Sequence, residues 1–143
     1  MHKLIDIQDT VITVVDAIAS VLNMDVVVFD NDLKMIADSL KDWESNNSTV
    51  SAHSAMLDML DEGAPIIQED RNKHEGCSKC EYSSACKIKA FIAIPIKYNN
   101  TAIGGVEISA VTEDNKKVLI EKKKAILNFI NKMAELIISK LLE

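Results

Sequence analysis

Two apolar runs with a turn between them are the strongest fold signal in the chain: AFIAIPI over residues 90–96, YNNT over residues 98–101 and AIGGVEISA over residues 102–110. Both apolar runs are rich in isoleucine and valine, which favour strands. Asn99-Asn100 is a pair that suits the tight turn of a hairpin. The stretch therefore predicts two long antiparallel strands that form the core hairpin of the domain.

Five predicted elements precede this hairpin, in the order helix, strand, strand, helix and short edge strand. Their predicted ranges are 5–22, 25–30, 34–38, 51–62 and 65–68. Asn23 ends the first helix and Gly63 ends the second, since both residue types readily adopt the left-handed conformation that closes helices. Asn31-Asp32 predicts the turn between the first two strands.

A long helix follows the hairpin. Thr112 is a good N-cap, and Glu113 and Asp114 complement the positive end of the helix dipole. The apolar stripe continues to the last residues, with no glycine or proline to end it. We expect residues 113–143 to connect this chain to a missing downstream module, with the chain as the N-terminal part of a longer protein.

The elements together predict one α+β domain over residues 1–143. The order is satisfied by an antiparallel sheet with the N- and C-terminal helices packed on one face. Small-ligand sensor domains of the GAF and PAS type have this arrangement. A composition of 48% hydrophobic and 27% charged residues is ordinary for such a globular domain.

Charge and hydropathy exclude several classes of function. A net charge of −6 leaves no basic surface for phosphates, so we expect no direct binding of nucleic acid by this chain. Asp6 and Asp9 interrupt the first apolar run, which argues against a signal peptide. No apolar run is long enough to cross a membrane. Together with clustered cysteines, these features predict a cytoplasmic protein.

The three cysteines of the chain lie within ten residues of one another. Cys77, Cys80 and Cys86 follow the spacing C-x2-C-x5-C, and His74 precedes them by three residues. Thiolates are soft ligands that suit zinc or an iron–sulfur cluster. A tetrahedral site requires four ligands, and His74 is the nearest candidate for the fourth. These four residues are the predicted metal site.

Other interpretations of the cysteine loop remain open. His53, Glu75, an exogenous ligand or another subunit could supply the fourth ligand. The thiols could instead sense redox state by thiol–disulfide exchange, since neighbouring lysines lower thiol pKa values. They could also be reduced and merely packed. Four aromatic residues are candidates for a ligand pocket, although such residues are more often core: Phe29, Trp43, Tyr82 and Phe91.

The terminal helices predict a homodimer. The last helix carries more apolar residues near its end than one face of a monomer requires, and an exposed apolar patch marks an interface. These residues are Ile137, Ile138, Leu141 and Leu142. We expect them to pair with a second copy, jointly with the N-terminal helix.

The second half of the chain resembles a known family. It combines the loop of His74, Cys77, Cys80 and Cys86 with the stretches 93–99, 103–106 and 128–141. This combination resembles the N-terminal sensory domain of clostridial sigma-54-dependent transcriptional activators. The resemblance implies a regulatory input domain followed by AAA+ and DNA-binding modules. The chain itself has no G-x-x-x-x-G-K-[ST] loop. Gly105 and Glu107 depart from the apolar residues expected in the second core strand.

We therefore predict a signal-sensing input domain of a transcriptional regulator. It senses a small molecule or redox state through a pocket on the sheet, the cysteine loop, or both. No nucleophile and base with an orienting group are evident, so we do not expect an enzyme. The alternative is a structural dimerisation module with a zinc-stabilised loop.

Overall fold

The computed structural model describes residues 3–39, 53–70 and 87–143. A 3-10 turn at Leu4–Ile7 leads into the first helix, α1 (Gln8–Leu22). The other described helices are α2 (His53–Glu62), α3 (Glu113–Glu121) and α4 (Lys123–Leu141). The strands are β1 (Asp25–Asp30), β2 (Met35–Ser39), β3 (Ile66–Gln68), β4 (Ala90–Tyr98) and β5 (Thr101–Ala110). The strands form one sheet in the order β2-β1-β5-β4-β3, and each neighbouring pair is antiparallel.

The core hairpin lies where the sequence predicts it. Asn99 and Asn100 have φ angles of 52° and 63°, the left-handed pair that a two-residue hairpin turn requires. β4 and β5 pair over their whole length from Ala90↔Ala110 to Tyr98↔Thr101. Because β5 also pairs with β1, it lies at the centre of the sheet, buried from both sides.

The two faces of the sheet carry different helices. On one face, α1 and α4 pack on side chains that include Val26, Val106 and Ile108. On the opposite face, Met56 and Met59 of α2 join a second apolar cluster. This confirms the predicted α+β fold with the terminal helices on one face, and it adds that the middle helix covers the other face. No described helix has the length and apolar character to cross a membrane.

The predicted single C-terminal helix is wrong in one respect. Thr112 caps it as expected, because its hydroxyl accepts a hydrogen bond of 3.1 Å from the backbone N–H of Asn115. The helix is then interrupted at Lys122, whose φ and ψ are −110° and 17°. Hydrogen bonds from Lys122 N–H to Val118 and from Ile126 N–H to Lys122 span the interruption. The sequence carries no glycine or proline there, so nothing in it signals the kink.

The predicted dimer residues also need correction. Ile137 and Leu141 are buried inside the domain, because α4 turns them towards the sheet and α1. They are not available to a partner. The large apolar side chains that α1 and α4 do expose include Ile12 and Leu136, the latter 54% exposed. Leu142, the residue after α4, is exposed to the same extent.

Candidate ligand-binding site

The predicted metal site lies outside the described residues. His74, Cys77, Cys80 and Cys86 all belong to segment 71–86, as do the alternative ligand Glu75 and the aromatic Tyr82; Trp43 lies in segment 40–52. Nothing is described of the His53 side chain at the start of α2. In the ranges that are described, no group of three or more histidine, cysteine or acidic side chains could hold a metal ion. The cysteine site stays a prediction.

The described residues do show where this segment joins the sheet. It begins after β3 and ends before β4, two neighbouring antiparallel strands in which Gln68 pairs with Phe91. The described residues on either side of the segment, Asp70 and Lys87, are therefore at the same end of the sheet. In the same register, Phe91 pairs with Ser109 of β5, and Ser109 pairs with Asp25 of β1.

Glu107 lies on the sheet face that α2 covers. Side chains of a strand alternate between faces, so Gly105, Glu107 and Ser109 share one face of β5. A Cβ atom built at Gly105 would lie 2.6 Å from Cζ of Phe29 and 2.7 Å from Cε of Met59. These contacts identify the shared face as that of α2.

Glu107 is buried among apolar neighbours. It is 1% exposed, and its direct partners across the sheet are Val27 of β1 and Ala93 of β4. Neither carboxyl oxygen of Glu107 has a hydrogen-bond partner among the residues that the structure describes. Leaving such a group unsatisfied in an interior costs about 1–3 kcal/mol. A buried polar group without a partner is rare and requires an explanation.

A second acidic side chain lies close by on the same face. Asp25 pairs with Ser109, two residues from Glu107, so the two acids are diagonal neighbours about 7–8 Å apart at the backbone. Asp25 is 2% exposed. The two carboxyl groups share this interior with the buried side chain of Ser109 and with apolar residues, which include Phe29 and Phe91. These two aromatics are core residues of this face.

The surroundings hold Glu107 in its neutral form. Burial, and secondly the charge of Asp25, raise the pKa of Glu107 to about 8. A low-dielectric interior disfavours the charged form of an acid, and a neighbouring negative charge disfavours it further. At pH 7 the side chain is therefore mostly a carboxylic acid, which carries one O–H donor and an acceptor oxygen.

In the sequence, Glu107 stands out only as a departure from an apolar strand. The available signal was a charged residue in the middle of the run Gly105-Val106-Glu107-Ile108. In an antiparallel strand such a residue normally faces water. Because α2 covers this face of the sheet, the position is interior, and only the tertiary structure shows it.

A charged contact links the chain just after β3 to the last helix. Nζ of Lys123, the first residue of α4, lies 2.6 Å from Oε1 of Glu69. Both side chains are nearly half exposed, so the pair adds little to stability. It nevertheless connects the chain just after β3 to the kink between α3 and α4.

Comparisons with known proteins show a similarity to a transcriptional regulator. No model of a known protein family matches the chain. A relative from Escherichia coli, UacR, named as a candidate uric acid sigma-54-dependent transcriptional regulator, is 23% identical over 141 residues. The match covers 98% of this chain and 24% of the relative, so the chain spans about a quarter of the relative's length. The predicted resemblance to sigma-54-dependent regulators is confirmed.

Solved structures confirm the GAF-type fold. The GAF domain region of a Geobacter sulfurreducens protein has a TM-score of 0.65 at 13% identity, covering 96% of this chain and 93% of that one. The nlh2 GAF domain of A. aeolicus has a TM-score of 0.57 at 16% identity, covering 97% and 99%. A type II free methionine-R-sulfoxide reductase from Thermoplasma acidophilum has a TM-score of 0.63 at 13% identity, covering 94% and 95%. At these identities the likeness is one of fold.

Proposed function

We propose that this GAF-type chain is the sensory input domain of a cytoplasmic transcriptional regulator, and that it binds a small molecule against the sheet face covered by α2. One observation carries the proposal: Glu107 is buried there without a hydrogen-bond partner among the described residues. Interior polar groups of this kind recur where proteins bind ligands, because the ligand satisfies them.

The relative's name supports a small organic molecule as the signal. UacR is named for uric acid, a heterocycle with several N–H groups next to carbonyls. That compound belongs in the first set of ligands to be tested on this chain. Apolar cores with a few polar groups are typical of small-molecule sites, and Glu107 with Asp25 supplies such groups here.

The central strand offers a direct route from the site to the terminal helices. Val106 and Ile108 flank Glu107 in β5, are fully buried, and pack into the cluster that contains α1 and α4. A close-packed interior transmits small displacements. Ligand contacts at Glu107 would thus favour one arrangement of β5, and the terminal helices would follow. The contact between Glu69 and Lys123 separately connects the chain just after β3 to α4.

We propose that the signal passes from this domain to its downstream modules through a homodimer. The relative is a sigma-54-dependent regulator, which supports AAA+ and DNA-binding modules downstream of a domain like this one. Ile12 of α1 and Leu136 of α4 are exposed large apolar side chains on the terminal helices. Pairing of these helices between two copies would bury them and bring two output modules together.

The cysteine loop is proposed as a second input. Cys77, Cys80, Cys86 and His74 have the residue types and close spacing of a zinc or iron–sulfur site. An iron–sulfur cluster would make the domain responsive to oxygen or redox state. Zinc would instead make the loop a structural element of a dimerisation module, which is the second candidate function.

Enzymatic activity is not part of the proposal. The likeness to the methionine-R-sulfoxide reductase is one of fold and transfers no activity to this chain. The sigma-54-dependent relative supports a regulatory role instead. A direct assay for reduction of free methionine-R-sulfoxide checks this point, and turnover by the purified chain would contradict it.

A ligand panel tests the sensory site. Thermal unfolding of the wild-type chain would be followed with amines, carboxylates, sugars, amides and heterocycles, uric acid included. We expect at least one class to raise the Tm of the wild type and not that of Glu107→Leu, because ligand binding stabilises the folded state by mass action. Glu121→Leu, an exposed acid at the end of α3, is the matched control and should respond like the wild type. Equal responses of all three proteins, or none, would refute the site.

A further inference from the structure

The neutral Glu107 side chain offers its ligand a specific pattern of groups. A carboxylic acid presents an O–H donor and a carbonyl acceptor side by side. Val27, Ala93 and Phe29 supply apolar surroundings in which an uncompensated charge is costly. The complementary partner is therefore a neutral group with an acceptor next to a donor.

We propose that the ligand presents a cis-amide edge, an N–H beside a C=O, to the neutral carboxyl group of Glu107. This inference rests on the sensory site proposed above. The O–H of Glu107 donates to the amide oxygen, and its carbonyl oxygen accepts from the amide N–H. Both oxygens of Glu107, which have no partner among the described residues, are then satisfied.

The geometry of amides restricts the class of ligand. An ordinary secondary amide is trans, so its N–H and C=O point in opposite directions and cannot both reach one carboxyl group. Two kinds of amide hold them on the same side: a lactam, where a ring enforces the cis form, and a primary amide. Peptide backbones are thereby excluded, while lactam heterocycles and primary carboxamides fit.

Other ligand classes match the site less well. An organic cation would favour the ionised form of Glu107, and the apolar interior would then have to accommodate two desolvated charges. A carboxylate ligand has no donor for the carbonyl oxygen of Glu107 and would be repelled by the charge of Asp25. A neutral ligand with a donor next to an acceptor brings no charge into the interior and is not repelled by Asp25.

Few other titratable groups face Glu107 from the described elements. Asp25 of β1 is the buried one, and Asp38 of β2 shares the face but is exposed. Lys97, near the far end of β4, also shares this face and lies beside Gly63 after α2, whereas Phe91, Ala93 and Pro95 are not titratable. The buried residues of α2 that join the cluster are Ala55, Met56 and Met59, and its acids Asp58, Asp61 and Glu62 are exposed. A pH dependence of binding that disappears in Glu107→Gln is therefore attributable to Glu107.

Calorimetry with matched ligands tests the inference at pH 7. The probes are uracil, hypoxanthine and nicotinamide, which carry cis-amide edges of different size. The controls are 1,3-dimethyluracil and N,N-dimethylnicotinamide, which keep the carbonyl and lose the N–H. We expect at least one probe to bind the wild type, and N-methylation to weaken binding about tenfold or more because a buried acceptor loses its donor.

Two variants separate recognition from folding. Glu107→Gln keeps a donor beside an acceptor and should bind the same probe, whereas Glu107→Met should not. Raising the pH should weaken binding to the wild type by up to about tenfold per pH unit once Glu107 ionises. The Gln variant should bind equally throughout, provided the probe itself stays neutral over that range.

The outcomes distinguish this inference from the sensory proposal. Absence of binding by all three probes, equal binding of the methylated compounds, or unchanged binding to Glu107→Met would overturn the cis-amide edge. If another ligand class still discriminates wild type from Glu107→Leu, the sensory site stands without this recognition. If no ligand class discriminates the wild type from Glu107→Leu, the sensory site and the cis-amide recognition are both refuted.

Discussion

Glu107 of β5 and Asp25 of β1 are diagonal neighbours on the same face of the sheet, and both carboxyl side chains are buried. A neighbouring negative charge disfavours the ionised form of a buried acid. In Glu107 this effect adds to burial and raises its pKa to about 8. The stability of the domain therefore depends on pH and on any ligand that forms hydrogen bonds with the Glu107 carboxyl group.

Stability should depend on pH through Glu107. Its pKa rises from an ordinary 4.5 to about 8 on folding, so between these values the folded state binds more protons than the unfolded state. The free energy of unfolding therefore contains a contribution that falls by up to about 1.4 kcal/mol per pH unit across this window and is constant above it. Urea titrations at several pH values measure this, with Glu107→Gln lacking the contribution. Identical pH profiles of the two proteins would contradict it.

Glu107→Met should stabilise the domain at pH 7 while abolishing the proposed ligand response. Methionine has a similar size and no polar group to desolvate, and replacing a buried polar group that has no partner by an apolar group of similar shape can be stabilising. We expect a gain of about 2 kcal/mol in the free energy of unfolding, measured by urea denaturation. A loss of stability would contradict the cost assigned to the buried carboxyl group.

Gly104→Ala should be more destabilising than Gly105→Ala. A Cβ at Gly104 would collide with the carbonyl oxygen of Phe29, which is fixed in the β1–β5 pairing, and with Cδ1 of Leu4. A Cβ at Gly105 meets chiefly the ends of the Phe29 and Met59 side chains. We expect losses of about 2–3 and about 1–2 kcal/mol respectively. Thermal unfolding of the two variants checks the order, and the reverse order would show that the Gly105 contacts are the more rigid.

Cys80→Ser should abolish metal binding by the loop with little effect on the rest of the domain. Losing one of three cysteine ligands lowers affinity for zinc or iron–sulfur strongly, because these sites require a full set of soft ligands. Metal analysis and visible absorption of protein purified without oxygen measure the content. His53→Ala is the control and should retain the metal if His74 is the fourth ligand. Metal content unchanged in Cys80→Ser would rule the site out.

Leu136→Lys should shift the protein from dimer to monomer. A charge in the centre of an apolar helix pairing carries a large desolvation cost. Val118→Lys is the control, since Val118 is an exposed apolar residue of α3 rather than of a terminal helix. Sedimentation velocity over a range of protein concentrations measures the mass. A wild type that is monomeric throughout, or a Leu136→Lys variant that stays dimeric, would contradict the proposed interface.

Local sequence signals predicted most of the elements because each signal acts over a few residues. The boundaries of β1 match exactly, the asparagine turn at Asn99-Asn100 has the expected conformation, and Thr112 caps its helix. Gly63 closes α2 with a φ of 66°. Ile137 shows the limit of such signals, since an apolar residue on a stripe can face either its own core or a partner. The structure assigns it to the core.

Four features follow from the amino-acid sequence alone: the α+β class, the order of the elements, the resemblance to a regulatory domain and the thiol cluster as a metal-site prediction. That α2 covers the second face of the sheet, with Glu107 and Asp25 as neighbours beneath it, becomes visible only in the packed domain. The physical reason is that secondary structure follows from local periodicity and turn chemistry. Burial of a charged side chain instead depends on which distant elements pack over it, and that packing sets its pKa and its need for a partner.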